Sequence, residues 1–171
     1  MVFVSVDCEA SGQYPPQYSL LSIGACDVHN ISNTFYAELA MLNDNISGSA
    51  MRVVGDLWQR CIENGQSPTK VMTDFNKWLE SFNERVIFVA FNLGFDWTYI
   101  QFYFHEFLGY NPFGISGLDI KAYAMGKLNC EWSETTKKKL KGRIKWEGKH
   151  THNALQDSVE QANLFRRLLE I

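Results

Sequence analysis

The chain has 171 residues, a normal length for one domain with a sizeable core, and its 46% hydrophobic and 14% aromatic content argues against a disordered polymer. No apolar run approaches the length of a membrane span, and Met1-Val2-Phe3 enters an apolar stretch with no basic or small-residue leader, so neither a membrane partner nor a secretory signal is expected. The formal net charge of −3 does not advertise a polyanion-binding surface, and Cys8, Cys26, Cys61 and Cys130 lack CxxC spacing, which argues against a structural zinc site or disulfide framework and fits a reducing, cytoplasmic setting.

Five of the six residues before Asp7 are apolar (Met1, Val2, Phe3, Val4 and Val6), the pattern of a strand buried on both faces. That strand runs into Asp7-Cys8-Glu9 and a turn at Gly12. Gln13-Tyr14-Pro15-Pro16-Gln17 reads as a loop. Tyr18–Val28 and Thr34–Leu39 read as strands joined by a turn over Asn30–Asn33, and three strands with short connections predict an antiparallel meander. Helical spacing begins with Leu57, Trp58, Cys61 and Ile62 and stops at Asn64-Gly65. Ser67-Pro68 predicts a capped helix start, and Val71, Phe75, Trp78, Leu79 and Phe82 then share one apolar face, a core stripe.

Val86–Phe91 is another continuous apolar run, read as a buried strand that enters Asn92-Leu93-Gly94-Phe95-Asp96. Trp97–Leu108 reads as an aromatic-rich helix, Gly109–Gly117 as a loop, and Leu118–Met125 as a short helix with Asp119 near its start. The stretch Asn129–Lys149 is polar and basic: between Lys137 and Lys149, Lys137, Lys138, Lys139, Lys141, Arg143, Lys145 and Lys149 are seven of the chain's 16 basic residues, against the single acid Glu147. Such a segment either guides a polyanion or is a solvated loop, and within it Arg143–Trp146 reads as a short strand. The final helix, Ala154–Leu169, keeps Leu155, Val159, Ala162, Phe165 and Leu169 at helical spacing, and Asn153 with Gln156 resembles a capping box. Without repeats or an interdomain linker, one α/β domain over residues 1–171 is the economical reading.

Side chains alternate along a strand, so Asp7 and Glu9 share one face and Cys8 packs on the other. Paired carboxylates at a buried strand end repel, and a divalent metal is the usual neutraliser; an exposed acidic turn is the plain alternative. Asp96 follows a later buried strand and Asp157 lies in the first turn of the last helix, both places where α/β sheets gather ligands. Convergence of the four would require cations, and Mg²⁺ or Mn²⁺ suit carboxylate oxygens. His152, just outside that helix, is a candidate general base whose pKa nearby carboxylates would raise; His150 is its decoy.

Three segments carry a resemblance to a known family. Asp7-Cys8-Glu9-Ala10-Ser11-Gly12 resembles D-x-E-x-x-G, Asn92-Leu93-Gly94-Phe95-Asp96 resembles N-x-x-F-D, and His152-Asn153-Ala154-Leu155-Gln156-Asp157 resembles H-x-A-x-x-D. These are the motifs, in order, of the DnaQ-like (DEDD) 3′–5′ exonuclease superfamily, and His152 five residues before Asp157, with Asn153 where the sister branch has tyrosine, is similar to the DEDDh branch. The resemblance implies a ribonuclease H-like fold, a five-stranded mixed sheet with its first three strands antiparallel, flanked by helices.

It also implies a two-metal 3′–5′ exonuclease acting on the 3′ end of single-stranded RNA or DNA and releasing nucleoside 5′-monophosphates. Asp7 would bridge both Mg²⁺ or Mn²⁺ ions, Glu9 and Asp157 would complete one site, Asp96 would hold the second ion largely through water, and His152 would deprotonate the attacking water. Candidate substrate contacts are the backbone at Ala10 and Ser11, the rings of Phe91 or Phe95, Tyr14 as a stacking surface, and Lys137, Lys138 and Lys139 as a phosphate guide. The absence of a polymerase or helicase segment tilts the reading towards RNA, with an exodeoxyribonuclease as the rival. A homodimer is one assembly found in that superfamily. A catalytically silent nucleic-acid-binding module on the same fold is the other rival, against which the intact set of four carboxylates and a histidine argues.

Overall fold

The alternation along Val2–Ala10 gives that strand two distinct faces, and the helices sort themselves onto them. The computed structural model describes all residues, Met1–Ile171. β1 (Val2–Ala10) lies at the centre of the sheet. β2 (Leu20–Asp27) and β3 (Thr34–Glu38) follow as an antiparallel meander, while β4 (Val86–Ala90) and β5 (Leu118–Asp119) join in parallel on the other side, giving the order β3-β2-β1-β4-β5. This is the expected five-stranded mixed sheet of a ribonuclease H-like α/β fold. The pairing of β1 with β2 sets Asp7 opposite Gly24 and slips between Glu9 and Ala10, a bulge at the strand end that carries the carboxylates.

Val4, Val6, Cys8 and Ala10 form one face with Phe88, packed against α3 (Pro68–Glu80) and α4 (Leu93–Leu108). Phe75 of α3 anchors that layer, its ring 4.7 Å from Phe35 and 5.5 Å from Phe104, both stacked. The opposite face meets α5 (Ile120–Leu128), α6 (Lys137–Ile144) and α7 (Ala154–Leu169). There Phe3 meets Phe165 edge to face at 5.3 Å, and the Ser5 hydroxyl donates to the Ser158 carbonyl at 2.8 Å. A small apolar cluster of Leu21, Val54, Leu57 and Cys61 seats α1 (Gly48–Val54) and α2 (Leu57–Asn64) on β2. All four cysteines are free thiols, and no helix is long and apolar enough to cross a membrane.

Three local expectations need correction, and one element lies where the sequence reading assigns none. The basic segment has no strand at 143–146: α6 occupies Lys137–Ile144 within it, capped by Thr136 and seated by Leu140 and Ile144, four residues apart and both buried. Residues 48–54, to which the sequence reading assigns no element, fold as α1 with the Ser47 hydroxyl accepting from the Ala50 amide at 3.1 Å. Leu118 and Asp119 begin as sheet, not helix, because they pair with Val89 and Ala90. Pro68 does open α3, but the Ser67 side chain makes no capping hydrogen bond.

Candidate active site

Each acidic residue reaches the site by a specific local device. Asp7 and Glu9 project from the α7 face at the end of β1. Gly24, opposite Asp7, lets the first turn of α7 lie directly on the sheet: a Cβ there would sit 2.1 Å from the Ala154 carbonyl carbon. Asn153 caps α7 by accepting from the Gln156 amide at 3.0 Å, which fixes the turn bearing Asp157. Asn92 takes a left-handed conformation (φ 64°, ψ 51°), so β4 turns at once into α4 and brings Asp96 inward. Asp96 Oδ1 accepts from the Cys8 amide at 2.9 Å, locking the two motifs together.

Asp7, Glu9 and Asp157 offer carboxylate oxygens that all lie within 4.8 Å of one another. Burial, reinforced by Asp96, Glu9 and Asp157 and opposed by Lys137, holds the Asp7 carboxyl well above the usual range. Burial, helped by Asp157, pushes Glu9 up to about 7, and burial likewise raises Asp96. Asp157 Oδ2 is buried without a hydrogen bond although His150 Nδ1 is 3.0 Å away, while Oδ1 accepts from the Thr151 amide at 2.8 Å. An all-oxygen cluster with a spare buried lone pair and mutual repulsion suits a hard divalent cation. The neighbouring group of His150, Asp157 and Glu160 suits one less, because the Lys137 ammonium already pairs with Glu160.

A cleft of about 350 Å³ opens over Asp7, Glu9 and Asp96, with Asp157 fully buried beneath, and is walled by Ala10, Phe91 and Phe95, by Ser47, Ser49, Ala50 and Val53 around α1, and by His150 and His152. His152 is exposed and held at φ 57°, its ring 4.3 Å from that of His150; burial keeps His150 below the ordinary histidine value despite Asp157 beside it. His150, the decoy of the sequence reading, is the one in contact with Asp157.

The other candidate contacts are spread more widely. Ser11 is fully buried and spends its polar groups internally: its amide donates to Ser19 O and its carbonyl accepts from the Ser47 amide, both at 2.8 Å, while its hydroxyl accepts from the Ser19 amide at 2.8 Å. Tyr14 is exposed outside the cleft, its ring packed edge-on to Tyr18 at 5.9 Å. Lys137 points at the Phe91 ring, 5.3 Å from its centre, whereas Lys138 and Lys139 face solvent on α6.

Sequence reasoning missed several residues that set this geometry. Gln161 of α7 is buried and donates to Val6 O at 3.0 Å and to Asp7 Oδ1 at 3.2 Å, while its carbonyl accepts from the Phe91 amide at 2.5 Å. Asp119 receives the Leu93 amide at 2.8 Å and the Ala122 amide at 2.7 Å, so one carboxylate caps α4 and α5. Tyr99 donates to Gly12 O at 3.0 Å, and the Tyr103 hydroxyl accepts from the Leu20 amide at 2.8 Å, tying the Gly12 turn to α4. The only sequence signal for Gln161 is its place one turn beyond Asp157 on the same helix face.

The sheet order and the three motifs on it are those of the DnaQ-like DEDDh exonucleases. The chain belongs to the Rv2179c-like 3′–5′ exoribonuclease domain family, whose sequence model matches residues 2–169. It is 40% identical over 168 residues to the 3′–5′ DNA exonuclease Cap18 of Escherichia coli, an alignment covering 96% of this chain and 90% of that protein. Among solved structures, the nuclease domain of 3′hExo, a DEDDh family member bound to rAMP, superposes with a TM-score of 0.79 at 14% identity, over 99% of this chain and 92% of that one. S. pombe Pop2p, in a form with Mg²⁺ and Mn²⁺ bound, gives 0.66 at 16% identity over 95% and 81%. At such identities the two structures speak for the fold alone.

Proposed function

We propose that residues 1–171 act as one domain that removes nucleotides from the 3′ end of single-stranded nucleic acid and releases nucleoside 5′-monophosphates. The observation that carries this reading is the mutual approach of Asp7, Glu9 and the buried Asp157 within 4.8 Å, joined to Asp96 through the Cys8 amide, where Asp7, Glu9 and Asp96 line an open cleft. Two Mg²⁺ or Mn²⁺ ions fit that donor set and would supply an activated water and charge stabilisation at the leaving 3′ oxygen. Asp7 would reach both ions, Glu9 and Asp157 one, and Asp96 the other. His152, exposed at the cleft rim, accepts a proton from the attacking water. Ala10, Phe91 and Phe95 hold the terminal nucleoside by apolar contact.

On the sugar, the comparisons pull apart. The family description says exoribonuclease, whereas the relative that is 40% identical over 96% of the chain is named a DNA exonuclease. The expected tilt towards RNA rested on what the sequence lacks, and the relative's near-complete coverage outweighs it. Single-stranded DNA is therefore the substrate this reading puts first. Comparing kcat/KM on DNA and RNA strands of the same sequence decides the point, and a preference for the ribose strand reverses the order.

The contact between His150 and Asp157 supports a second reading in which His150 is the base. Alanine variants at the two positions separate them. His152→Ala is expected to lower kcat by roughly 10²–10⁴-fold with cation binding retained, and His150→Ala to lower it far less. The reverse ranking would assign the proton transfer to His150.

A further inference from the structure

The cleft, at about 350 Å³, is at the small end of ligand pockets, so a strand whose 3′ end enters it leaves most of its nucleotides outside. Phe91, on the cleft wall, is where the surface outside becomes cationic and aromatic. The Lys121 ammonium lies 5.8 Å from the centre of the Phe91 ring and 4.2 Å from that of Trp132, so it bridges the two rings. Trp132 is 51% exposed, a large surface for an indole to leave in water on a folded domain. Lys121 makes no ion pair. The acids beside Trp132 are engaged: Glu131 and Glu134 form a reciprocal capping box around the Trp132–Glu134 turn, and Glu134 also meets Arg143 at 3.4 Å. Lys137 adds a second ammonium, 5.3 Å from the centre of the Phe91 ring, while held by Glu160.

An exposed indole beside an unpaired ammonium, continuous with the wall of a phosphodiesterase cleft, offers a face for a base and a charge for a phosphate. We infer that Trp132 and Lys121 form a binding site for the strand 5′ of the scissile bond, with a base stacked on Trp132 and the adjoining phosphate on Lys121. This inference rests on the proposed exonuclease reading and adds to it a site outside the cleft. It predicts that affinity depends on strand length, since only a strand long enough to pass Phe91 reaches the indole. Stacking tolerates any base, so the site adds affinity without sequence preference.

The test is steady-state degradation of single-stranded DNA and RNA of graded length by wild type, Trp132→Ala, Trp132→Phe and Lys121→Ala, with melting temperatures recorded for each. Trp132→Ala is expected to raise KM for long strands by roughly 5- to 100-fold at unchanged kcat, with Trp132→Phe restoring most of the loss. Lys121→Ala is expected to reduce the slope of log KM against log salt by about 0.7. As the strand is shortened, wild type should converge on Trp132→Ala. Equal KM values for wild type and a folded Trp132→Ala on long strands would overturn the site while leaving the exonuclease reading intact, and so would an equal loss on strands of every length. A wild-type protein that degrades no strand with either metal would overturn both.

Discussion

Glu9 is held in a position that opposes its own charge. Its carboxyl, pushed to about 7 by burial and by Asp157, is destabilising when ionised without a counter-ion. Glu9→Gln is therefore expected to stabilise the metal-free protein at pH 8, by up to about 3 kcal/mol, while abolishing metal-dependent turnover. Thermal melts in chelator check the first part, and an unchanged or lower melting temperature there would show that Glu9 carries no such penalty. Gln161 acts in the opposite sense, satisfying Val6 O, Asp7 Oδ1 and the Phe91 amide at once. Gln161→Met keeps the volume and strands those groups, at about 1–3 kcal/mol for each one left buried and unpaired. Calorimetric Mg²⁺ titration should show weaker binding as Asp7 loses its anchor; an isotherm matching wild type would confine Gln161 to folding. At this scale the acidic residues were legible because each sits in a motif at a strand or helix boundary. Gln161 was not, since a buried glutamine inside an amphipathic helix has no pattern that distinguishes it from a polar surface position.

Among the elements, the contact of α7 with β2 matters most to the site. Gly24 faces Ala154 so closely that no side chain fits. Gly24→Ala should push the first turn of α7 outward, cost about 1–3 kcal/mol of stability and reduce activity more than stability alone explains, because Asp157 moves with that turn. Matched melting and kinetic measurements test this, and a folded variant of wild-type activity would contradict it. The strands and long helices were readable from period: β1 from its apolar run, α3 and α7 from stripes at helical spacing. α6 was hidden because its apolar face is only Leu140 and Ile144 among lysines, and its identity comes from the Thr136 cap and the packing beneath it. α1 was hidden for a similar reason: of its residues only Val54 is buried, and its start is set by Ser47, whose amide is bound to Ser11 O. That short helix walls the cleft, so the part of the site least visible in the sequence is the wall around the carboxylates.

For the whole molecule, the raised carboxyls of Asp7, Glu9 and Asp96 make stability depend on pH and metal together. A group whose folded pKa lies above its unfolded value binds protons more tightly when folded, so it favours the native state at low pH. That contribution is lost as pH rises from the unfolded carboxylate value, about 4, through about 7 for Glu9. The metal-free protein should therefore melt at progressively lower temperature from pH 5 to pH 8, and saturating Mg²⁺ should raise the melting temperature more at pH 8 than at pH 5. Equal metal stabilisation at both would separate the cluster from cation binding. The central claim, stepwise hydrolysis from the 3′ end by a cation-dependent carboxylate site, is tested most directly by digesting matched 5′-labelled and 3′-labelled single strands with Mg²⁺ or Mn²⁺, alongside Asp7→Asn. The account predicts a ladder shortening one nucleotide at a time from the 5′-labelled strand, immediate release of labelled mononucleotide from the 3′-labelled one, and neither with Asp7→Asn. Internal cuts, shortening from the 5′ end, or no cleavage with either metal would contradict it.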